Sequence, residues 1–212
     1  MIRPGGFRGV AFGTADDGDG RSDKATSRSI SRSLGIAEHW AWVSQVHGVA
    51  IAEAAEPGNI GSADGIVTSV ENLPVAIATA DCVPVVLEGR GVAAVVHAGW
   101  RGTAAGVVEA MLEALSKRGT PPERAAIGPA IGPCCYEVGP EVAAEFGPHV
   151  TRTTWGTISV DLPGAIAAKL EPLPVWRSGD CTYTSEELYS FRRDRTSRRQ
   201  VAVGWLPSGL RS

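Results

Sequence analysis

Three consecutive apolar runs in the middle of the chain constrain the fold more than any other feature of the sequence. Residues 75–79, 83–87 and 92–97 form short segments that are apolar at nearly every position. A strand with one face in water alternates apolar and polar residues, whereas a strand that is covered on both faces is apolar throughout. The runs therefore predict strands in the interior of a layered fold.

Weaker patterns predict further elements around this interior. Alternation over residues 40–46 predicts a half-buried strand that pairs with residues 49–53 as a hairpin through a turn at Gly48. Apolar residues at helical spacing predict helices over 103–118, 138–146 and 161–170, and a weaker pattern predicts one over 22–34. Thr184 and Glu187 form a capping-box pattern that predicts a helix through Phe191. Strands are also predicted at 65–68 and 200–206, and a surface loop at 56–59.

Together these elements predict the α/β class. The expected architecture is a single layered mixed-sheet domain with helices packed on the outside. A chain of 212 residues is the size of one large domain. Because no internal repeat or linker interrupts the pattern, we expect one domain over residues 1–212.

Charge and hydropathy exclude several classes of partner. The chain has 20 basic and 23 acidic residues, for a formal net charge of −3, which argues against a nucleic-acid-binding protein driven by phosphate neutralisation. The amino-terminal segment lacks the apolar core of a secretory signal, and no apolar run is long enough to span a bilayer. We therefore expect a cytoplasmic protein with no membrane partner, whose cysteines are reduced.

Three metal-binding residue types lie next to predicted strands. His47 follows the strand at 40–46, Cys82 lies between two apolar strands, and His97 ends a third. Two histidines and one cysteine with an open fourth position are typical of a catalytic zinc site, in which zinc lowers the pKa of bound water toward about 7 or polarises a substrate oxygen. Copper also binds this set, but an electron-transfer copper site prefers an axial methionine, and Met111 belongs to an apolar helix stripe. Taken singly, a histidine at a strand end is more often a hydrogen-bonded structural residue, and a cysteine among apolar residues is usually a small core residue.

Other residues are candidates for chemistry or binding. Asp81 is a carboxylate between apolar strands, which is costly to bury unless it is paired or used as a general base or acid. Arg101 precedes a predicted helix and could bind an anion there, and Tyr136 could stack on a flat ligand or pack in the core. Adjacent Cys134 and Cys135 are expected to diverge, which makes a metal pair improbable, and Cys181, which has no partner visible in the sequence, is expected to be a buried thiol.

Five short motifs occur in a familiar order. They are Ser44-Gln45-Val46-His47-Gly48, Ala63-Asp64-Gly65-Ile66-Val67-Thr68, Thr79-Ala80-Asp81-Cys82-Val83-Pro84, His97-Ala98-Gly99-Trp100-Arg101-Gly102 and Ile127-Gly128-Pro129-Ala130-Ile131-Gly132. Together they resemble the YfiH family, also called the multicopper polyphenol oxidase or laccase-domain family. The likeness extends from about Phe7 to the carboxyl terminus and includes Phe191-Arg192-Arg193-Asp194.

The resemblance implies a metal-dependent purine nucleoside phosphorylase. Its expected substrates are inorganic phosphate and the nucleosides adenosine, inosine and S-methyl-5'-thioadenosine, with adenosine deaminase activity in the same site. It also implies that His47, Cys82 and His97 bind zinc. An arginine of the family's amino-terminal helix maps to Arg28, where Ser27 replaces the usual preceding asparagine.

These implications give a specific set of expected site residues. We expect His47, Cys82, Asp81 and Arg28 to be catalytic, with Arg28 or Arg101 positioning phosphate. The expected substrate-binding residues are Gln45, Arg101 and Tyr136.

Three other functions stay open. A zinc hydrolase that edits misincorporated residues in peptidoglycan precursors would use the same site on an amide. A copper-dependent polyphenol oxidase is disfavoured by the total of four histidines. A non-enzymatic protein with a structural zinc would need a fourth ligand, for which Cys134, Cys135 and His149 are the spare residues.

Overall fold

The computed structural model describes residues 1–20 and 24–209, and its framework is two β-sheets. The first sheet has five strands, which in order across the sheet are Val10–Phe12 (β1), Gln200–Gly204 (β13), Val75–Thr79 (β6), Ala41–Ser44 (β2) and Gly58–Ser62 (β4). In this sheet β13 runs antiparallel to both of its neighbours, β1 and β6, whereas β2 runs parallel to both of its neighbours, β6 and β4.

The second sheet has six strands and contains the two longest described strands. In order across the sheet they are Val175–Arg177 (β12), Arg124–Ile127 (β9), Val83–Gly89 (β7), Val92–Ala98 (β8), Gly65–Thr68 (β5) and Ile51–Glu53 (β3). The central pairs are antiparallel, and the outer pairs β12–β9 and β5–β3 are parallel. A separate hairpin joins Val150–Arg152 (β10) to Ile158–Val160 (β11).

The helices are short, and two are single turns. They are Lys24–Leu34 (α1), Trp100–Ala105 (α2), Val107–Lys117 (α3), Pro140–Ala143 (α4), Leu162–Lys169 (α5) and Phe191–Asp194 (α6). Two 3-10 turns lie at Ala15–Asp17 and Gly147–His149. No helix in the part of the chain that the structure describes has the length and apolar character needed to cross a membrane.

Three hydrophobic clusters show how these elements are layered. One fills the space between the sheets, where Phe12 and Ile77 of the first sheet face Val86 and Val95 of the second. A second lies between the outer face of the second sheet and helices α3 and α5, and a third lies between the outer face of the first sheet and α1. The expected α/β class, with layered mixed sheets and helices outside, is therefore confirmed.

The three apolar runs are strands, as predicted, and alternate side chains of β7 and β8 enter different clusters. Val83, Val85 and Leu87 pack toward the helices, whereas Val86 packs toward the first sheet. Burial on both faces explains why these strands carry almost no polar residues.

The predicted hairpin of residues 40–46 and 49–53 is wrong. β2 pairs with β4 and β6 in the first sheet, and β3 pairs with β5 in the second. His47, between them, has a positive φ of 60°, and the backbone N–H groups of Val46, His47 and Gly48 all donate to the Asp64 carboxylate. The turn therefore directs the chain from one sheet to the other. Residues Gly58 and Asn59 of the predicted surface loop belong to β4.

Three predicted helices are also corrected. The helix predicted over 103–118 is divided into α2 and α3 by Gly106, which has the left-handed conformation. The helix predicted from Thr184 does not form, and turns followed by the single-turn α6 take its place. The Arg193 guanidinium fixes these turns because it donates hydrogen bonds to four backbone carbonyls, those of Thr182, Tyr183, Ser185 and Leu188. Of the helix predicted over 138–146 only α4 forms. Residues 22 and 23 of the first predicted helix lie outside the described residues, and α1 occupies the rest.

Candidate metal centre

Three elements that are distant in sequence bring His47, Cys82 and His97 together. His47 lies in the turn after β2, His97 is near the end of β8, and Cys82 lies in the link that crosses from β6 to β7. Their ligand atoms all lie within 4.8 Å of one another. The Sγ atom of Cys82 is 3.9 Å from Nε2 of His47, and the two imidazole rings are nearly perpendicular with centroids 4.7 Å apart.

Asp64 organises this cluster, although its own carboxylate is fully buried. It precedes β5, next to β8, so its Oδ1 atom lies 2.8 Å from Nδ1 of His97. The same carboxylate accepts hydrogen bonds from the backbone N–H groups of His47 at 2.9 Å and Gly48 at 2.6 Å. One side chain therefore fixes both the ring of His97 and the turn that carries His47. The sequence alone indicates no role for Asp64, because its neighbour His97 is brought beside it only by the pairing of β5 with β8.

The electrostatics of the cluster favour charge separation in the metal-free protein. Burial disfavours charge on His97, but hydrogen bonds to Asp64 and Cys82 overcome this and raise its pKa to about 9. Burial likewise disfavours the Cys82 thiolate, but the two histidines overcome it and lower the pKa of Cys82 to about 6. Burial opposes the charge on Asp64 as well, and its hydrogen bonds with His97 and Gly48 nevertheless keep its pKa below the usual value. A thiolate is thus present at neutral pH.

The donor set fits a zinc ion with an open position. A tetrahedral ion about 2.3 Å from sulfur and about 2.0 Å from nitrogen separates two such ligands by roughly 3.6 Å, close to the 3.9 Å between Cys82 and His47. The Nδ1 atom of His97 is taken by Asp64, which leaves Nε2 for the metal. Gly99 also matters, since a Cβ there would lie 2.9 Å from the ring of His47 and 3.1 Å from Sγ of Cys82.

The described residues supply no fourth histidine, cysteine or carboxylate to this cluster. Cys134 and Cys135 belong to a different group, and His149 lies in the second 3-10 turn. Met111 is fully buried in the stripe of α3. The arrangement therefore resembles a catalytic zinc site more than a structural one, which normally has four protein ligands.

A cavity of about 1060 Å³ opens beside the cluster. Its wall combines the three metal-binding side chains with cationic and aromatic residues, namely Lys24, Arg28, Arg199, Trp40, Trp42 and Phe191. Arg28, on α1, is about half exposed and lies 3.7 Å from Glu38. The cavity is therefore large enough for a drug-sized ligand and can bind an anionic group.

Gln45 also lines this cavity, but its amide is already bonded to the backbone. Its Nε2 donates to the Ala78 carbonyl and its Oε1 accepts from the Ala78 N–H, each at 2.9 Å. The side chain thus extends the β2–β6 pairing beyond the end of the backbone ladder.

Asp81 points away from the cavity wall and toward the segment that leads into α6. Its carboxylate accepts three hydrogen bonds of 2.7 Å, from the hydroxyls of Thr182 and Ser190 and from the Arg192 N–H. It is nearly buried and has a φ of 86°, in the left-handed region that non-glycine residues rarely adopt. The carboxylate therefore connects the link that carries Cys82 to the turn that carries Phe191.

Arg101 and Tyr136 lie in a second cavity, of about 580 Å³, and not in the wall of the first. The guanidinium of Arg101 covers Trp100 at 4.5 Å, and that of Arg192 covers Tyr136 at 5.1 Å. Burial raises the pKa of Tyr136 to about 12, against the opposing effect of Arg192, so its hydroxyl stays protonated at neutral pH.

Comparison with known proteins identifies the family. A family model described as multi-copper polyphenol oxidoreductase laccase matches residues 3–207. The chain belongs to this family. The resemblance of the five sequence motifs is thereby confirmed.

Relatives and solved structures agree with this membership. The chain is 37% identical to purine nucleoside phosphorylase ORF3 of Streptomyces griseus, over 96% of this chain and 92% of that protein. It is 36% identical to a purine nucleoside phosphorylase of Deinococcus radiodurans, over 96% and 85%. The fold matches a hypothetical protein YfiH of Bacillus licheniformis with a TM-score of 0.82 at 24% identity, over 93% and 92% of the two chains. It matches YlmD of Geobacillus stearothermophilus with a TM-score of 0.76 at 30% identity, over 87% and 82%.

Proposed function

We propose that this family member is a zinc-dependent purine nucleoside phosphorylase. In this proposal it cleaves adenosine, inosine and S-methyl-5'-thioadenosine with phosphate and deaminates adenosine in the same site. The observation that carries the proposal is the presence, in one cavity, of an open His₂Cys cluster and of cationic side chains able to bind phosphate. The names of the relatives at 36–37% identity support the same reaction class.

The cavity provides separate groups for the two parts of the substrate. Lys24 and Arg28, both on α1, would bind phosphate, because a guanidinium and an ammonium bind phosphate oxygens strongly. The ring of Phe191, which is 42% exposed, would pack against the purine base. When bound, zinc supplies a Lewis acid that activates water for deamination or polarises a substrate oxygen.

The remaining residues would hold these groups in position. Asp64 keeps the His97 ring aimed at the metal, and Gln45 fixes the wall formed by β2 and β6. Asp81 is a positioning residue in this proposal, because its three hydrogen bonds leave it committed to the segment before α6. Arg101 is the second candidate for phosphate, and its position in the other cavity favours Arg28.

Product analysis tests the reaction. Purified protein of measured metal content is incubated with adenosine, with and without phosphate. We expect inosine in both cases, and adenine, hypoxanthine and ribose-1-phosphate only when phosphate is present. Absence of these products would contradict the proposal. Amide hydrolysis by the same preparation would then favour the hydrolase of peptidoglycan precursors, and phenol oxidation would favour the polyphenol oxidase.

Two arginines of the same helix give a matched test of the phosphate site. Arg28 and Arg32 both lie within 4 Å of Glu38, but only Arg28 lines the cavity. Arg28→Gln should raise the KM for phosphate at least about tenfold, since it removes a charged hydrogen bond, and leave deamination within about twofold. Arg32→Gln should change neither value. A tenfold rise in the KM for phosphate in Arg101→Gln, with no change in Arg28→Gln, would instead indicate that phosphate binds in the second cavity.

A further inference from the structure

Three of the four cysteines form a second cluster, remote in sequence from the first. Cys134 and Cys135 lie within the turn that begins at Gly132, and Cys181 pairs with Ala130 through an isolated bridge. The Sγ atoms of Cys134 and Cys135 are 3.1 Å apart, and that of Cys181 is 3.6 Å from Cys134. The expectation that the adjacent thiols diverge is therefore wrong, and Cys181, whose partner was not visible in the sequence, lies beside Cys134.

The backbone around Gly132 makes this convergence possible. The carbonyl of Gly132 accepts hydrogen bonds from the N–H groups of Cys135 and Tyr136, each at 3.0 Å, which closes a tight turn. The N–H of Gly132 donates to Sγ of Cys181 at 3.2 Å. A Cβ at position 132 would lie 3.3 Å from Cβ of Cys181 and 3.4 Å from Sγ of Cys134, so a side chain there would crowd the three sulfurs.

The thiols are close but not bonded to one another. All four cysteines are free, and a distance of 3.1 Å is far longer than the roughly 2.05 Å of a disulfide. Burial raises the pKa of Cys134 and of Cys135, whereas the N–H groups of Gly132 and Thr184 overcome burial at Cys181 and lower its pKa. A cation in the centre of the cluster would replace the thiol protons, which would pass to solvent.

We propose that Cys134, Cys135 and Cys181 form a second metal site that binds one Cu(I) ion through three sulfurs. Thiolates prefer soft cations, and Cu(I) is among the metals they select. A structural zinc ion normally takes four protein ligands, and the described residues add no histidine, cysteine or carboxylate to these three. Cys135 also lines the second cavity, which gives an ion a route to the cluster. The proposal does not depend on the activity proposed for the first site.

The test is a Cu(I) titration in a background that lacks the first site. Cys82→Ser protein, prepared reduced and metal-free, is titrated with Cu(I) under anaerobic conditions against a coloured Cu(I) chelator. We expect one equivalent of Cu(I) to leave the chelator, and X-ray absorption to show three sulfur neighbours. Adding Cys134→Ser or Cys181→Ser should weaken binding at least about 100-fold, because each removes a metal ligand.

Control measurements separate loss of ligands from loss of fold. Thermal unfolding and circular dichroism of the metal-free double variants should match those of Cys82→Ser. Ser185→Ala, next to the same segment, should keep the affinity for Cu(I). The proposal is overturned if Cys82→Ser takes no Cu(I) from the chelator, if Cys181→Ser leaves the affinity unchanged, or if Cys134 and Cys181 form a disulfide that persists in glutathione buffer and prevents binding.

Discussion

At the scale of single residues, Asp64 fixes the geometry of the candidate metal centre, although it is not one of the three residues that would bind the ion. Its two oxygens accept from the turn that carries His47 and from the ring of His97, so its loss would loosen both. Asp64→Asn keeps the shape of the side chain but leaves only one oxygen that can accept hydrogen bonds. We expect zinc affinity to fall about 10–100-fold, as for other partners of metal-binding histidines, and unfolding free energy to fall by about 1–3 kcal/mol.

Chelator competition and urea unfolding measure these two effects. Glu88→Gln is the matched control, because Glu88 also accepts two backbone N–H bonds, from Arg8 and Gly9, at a different part of the second sheet. It should cost stability without changing zinc affinity. Unchanged zinc affinity in Asp64→Asn would show that zinc binding by His97 does not require the hydrogen bond between its ring and the Asp64 carboxylate.

The protonation of His97 should make the proposed zinc binding depend on pH. Its pKa is raised from 6.5 to about 9, so its charged form stabilises the metal-free fold fully below about pH 6.5, and this contribution is lost as the pH rises through 9. Zinc needs the neutral imidazole, whereas Cys82, with a pKa of about 6, is already a thiolate at pH 7. Zinc affinity should therefore rise about tenfold from pH 7 to pH 8. Calorimetry in buffers of different ionisation enthalpy should show release of about one proton per zinc, and zero release would contradict the raised pKa.

Asp81 illustrates how a functional pattern in sequence can have a structural explanation. If it positions α6, Asp81→Asn and Ser190→Ala should both loosen this turn, since the first sets an NH2 group against the Arg192 N–H and the second removes the hydroxyl that donates to Oδ1. We expect either change to raise the nucleoside KM about tenfold, the equivalent of one buried hydrogen bond to a charged group, and to leave the shape of the pH–rate profile unchanged. Loss of one limb of that profile in Asp81→Asn alone would identify a general base.

At the scale of elements, the strands buried on both faces were predictable and the links between elements were not. Apolar composition alone located β6, β7 and β8, because nothing but burial explains such runs. The sequence also showed His47, Cys82 and His97 as candidates, and the structure brings them together. The hydrogen bonds of the Asp64 carboxylate and of the Arg193 guanidinium could not be predicted from the sequence, because both depend on partners contributed by other segments. For the same reason Cys181 could not be paired with Cys134.

Gly106 gives an element-scale prediction, because it alone divides one predicted helix into α2 and α3. Its φ of 94° lies in the left-handed region, and a Cβ there would meet only Glu109, at 3.7 Å. Gly106→Ala should therefore destabilise the protein by about 1–2 kcal/mol through backbone strain alone. Gly5→Ala, where a Cβ meets nothing within 4 Å and φ is not in the left-handed region, should change stability by less than about 0.5 kcal/mol. Urea unfolding measures both, and a stabilised Gly106→Ala would mean that the helices can merge.

At the scale of the whole molecule, the metal centre lies where the two sheets are connected. His47 follows a strand of the first sheet, His97 belongs to the second, and Cys82 lies on the link that crosses between them. A ligand that holds all three would therefore join the two layers, and it would bind the folded chain only. The stability of the fold and the occupancy of the site should then be linked.

This linkage predicts a metal-dependent unfolding temperature. Zinc at 100 times its dissociation constant stabilises the folded state by about 2.7 kcal/mol, which for a chain of this size raises the unfolding temperature by roughly 5–10 °C. Calorimetry with zinc and with excess chelator should show that difference for the parent protein and for Cys181→Ser, whose first cluster is intact. Cys82→Ser should unfold at the same temperature in both buffers, because it lacks the sulfur that lies on the crossing link. Equal unfolding temperatures for the parent protein with one zinc bound and with none would mean that the unfolded chain binds zinc as tightly as the folded one, and would contradict a site that exists only when the two sheets and the crossing link are assembled.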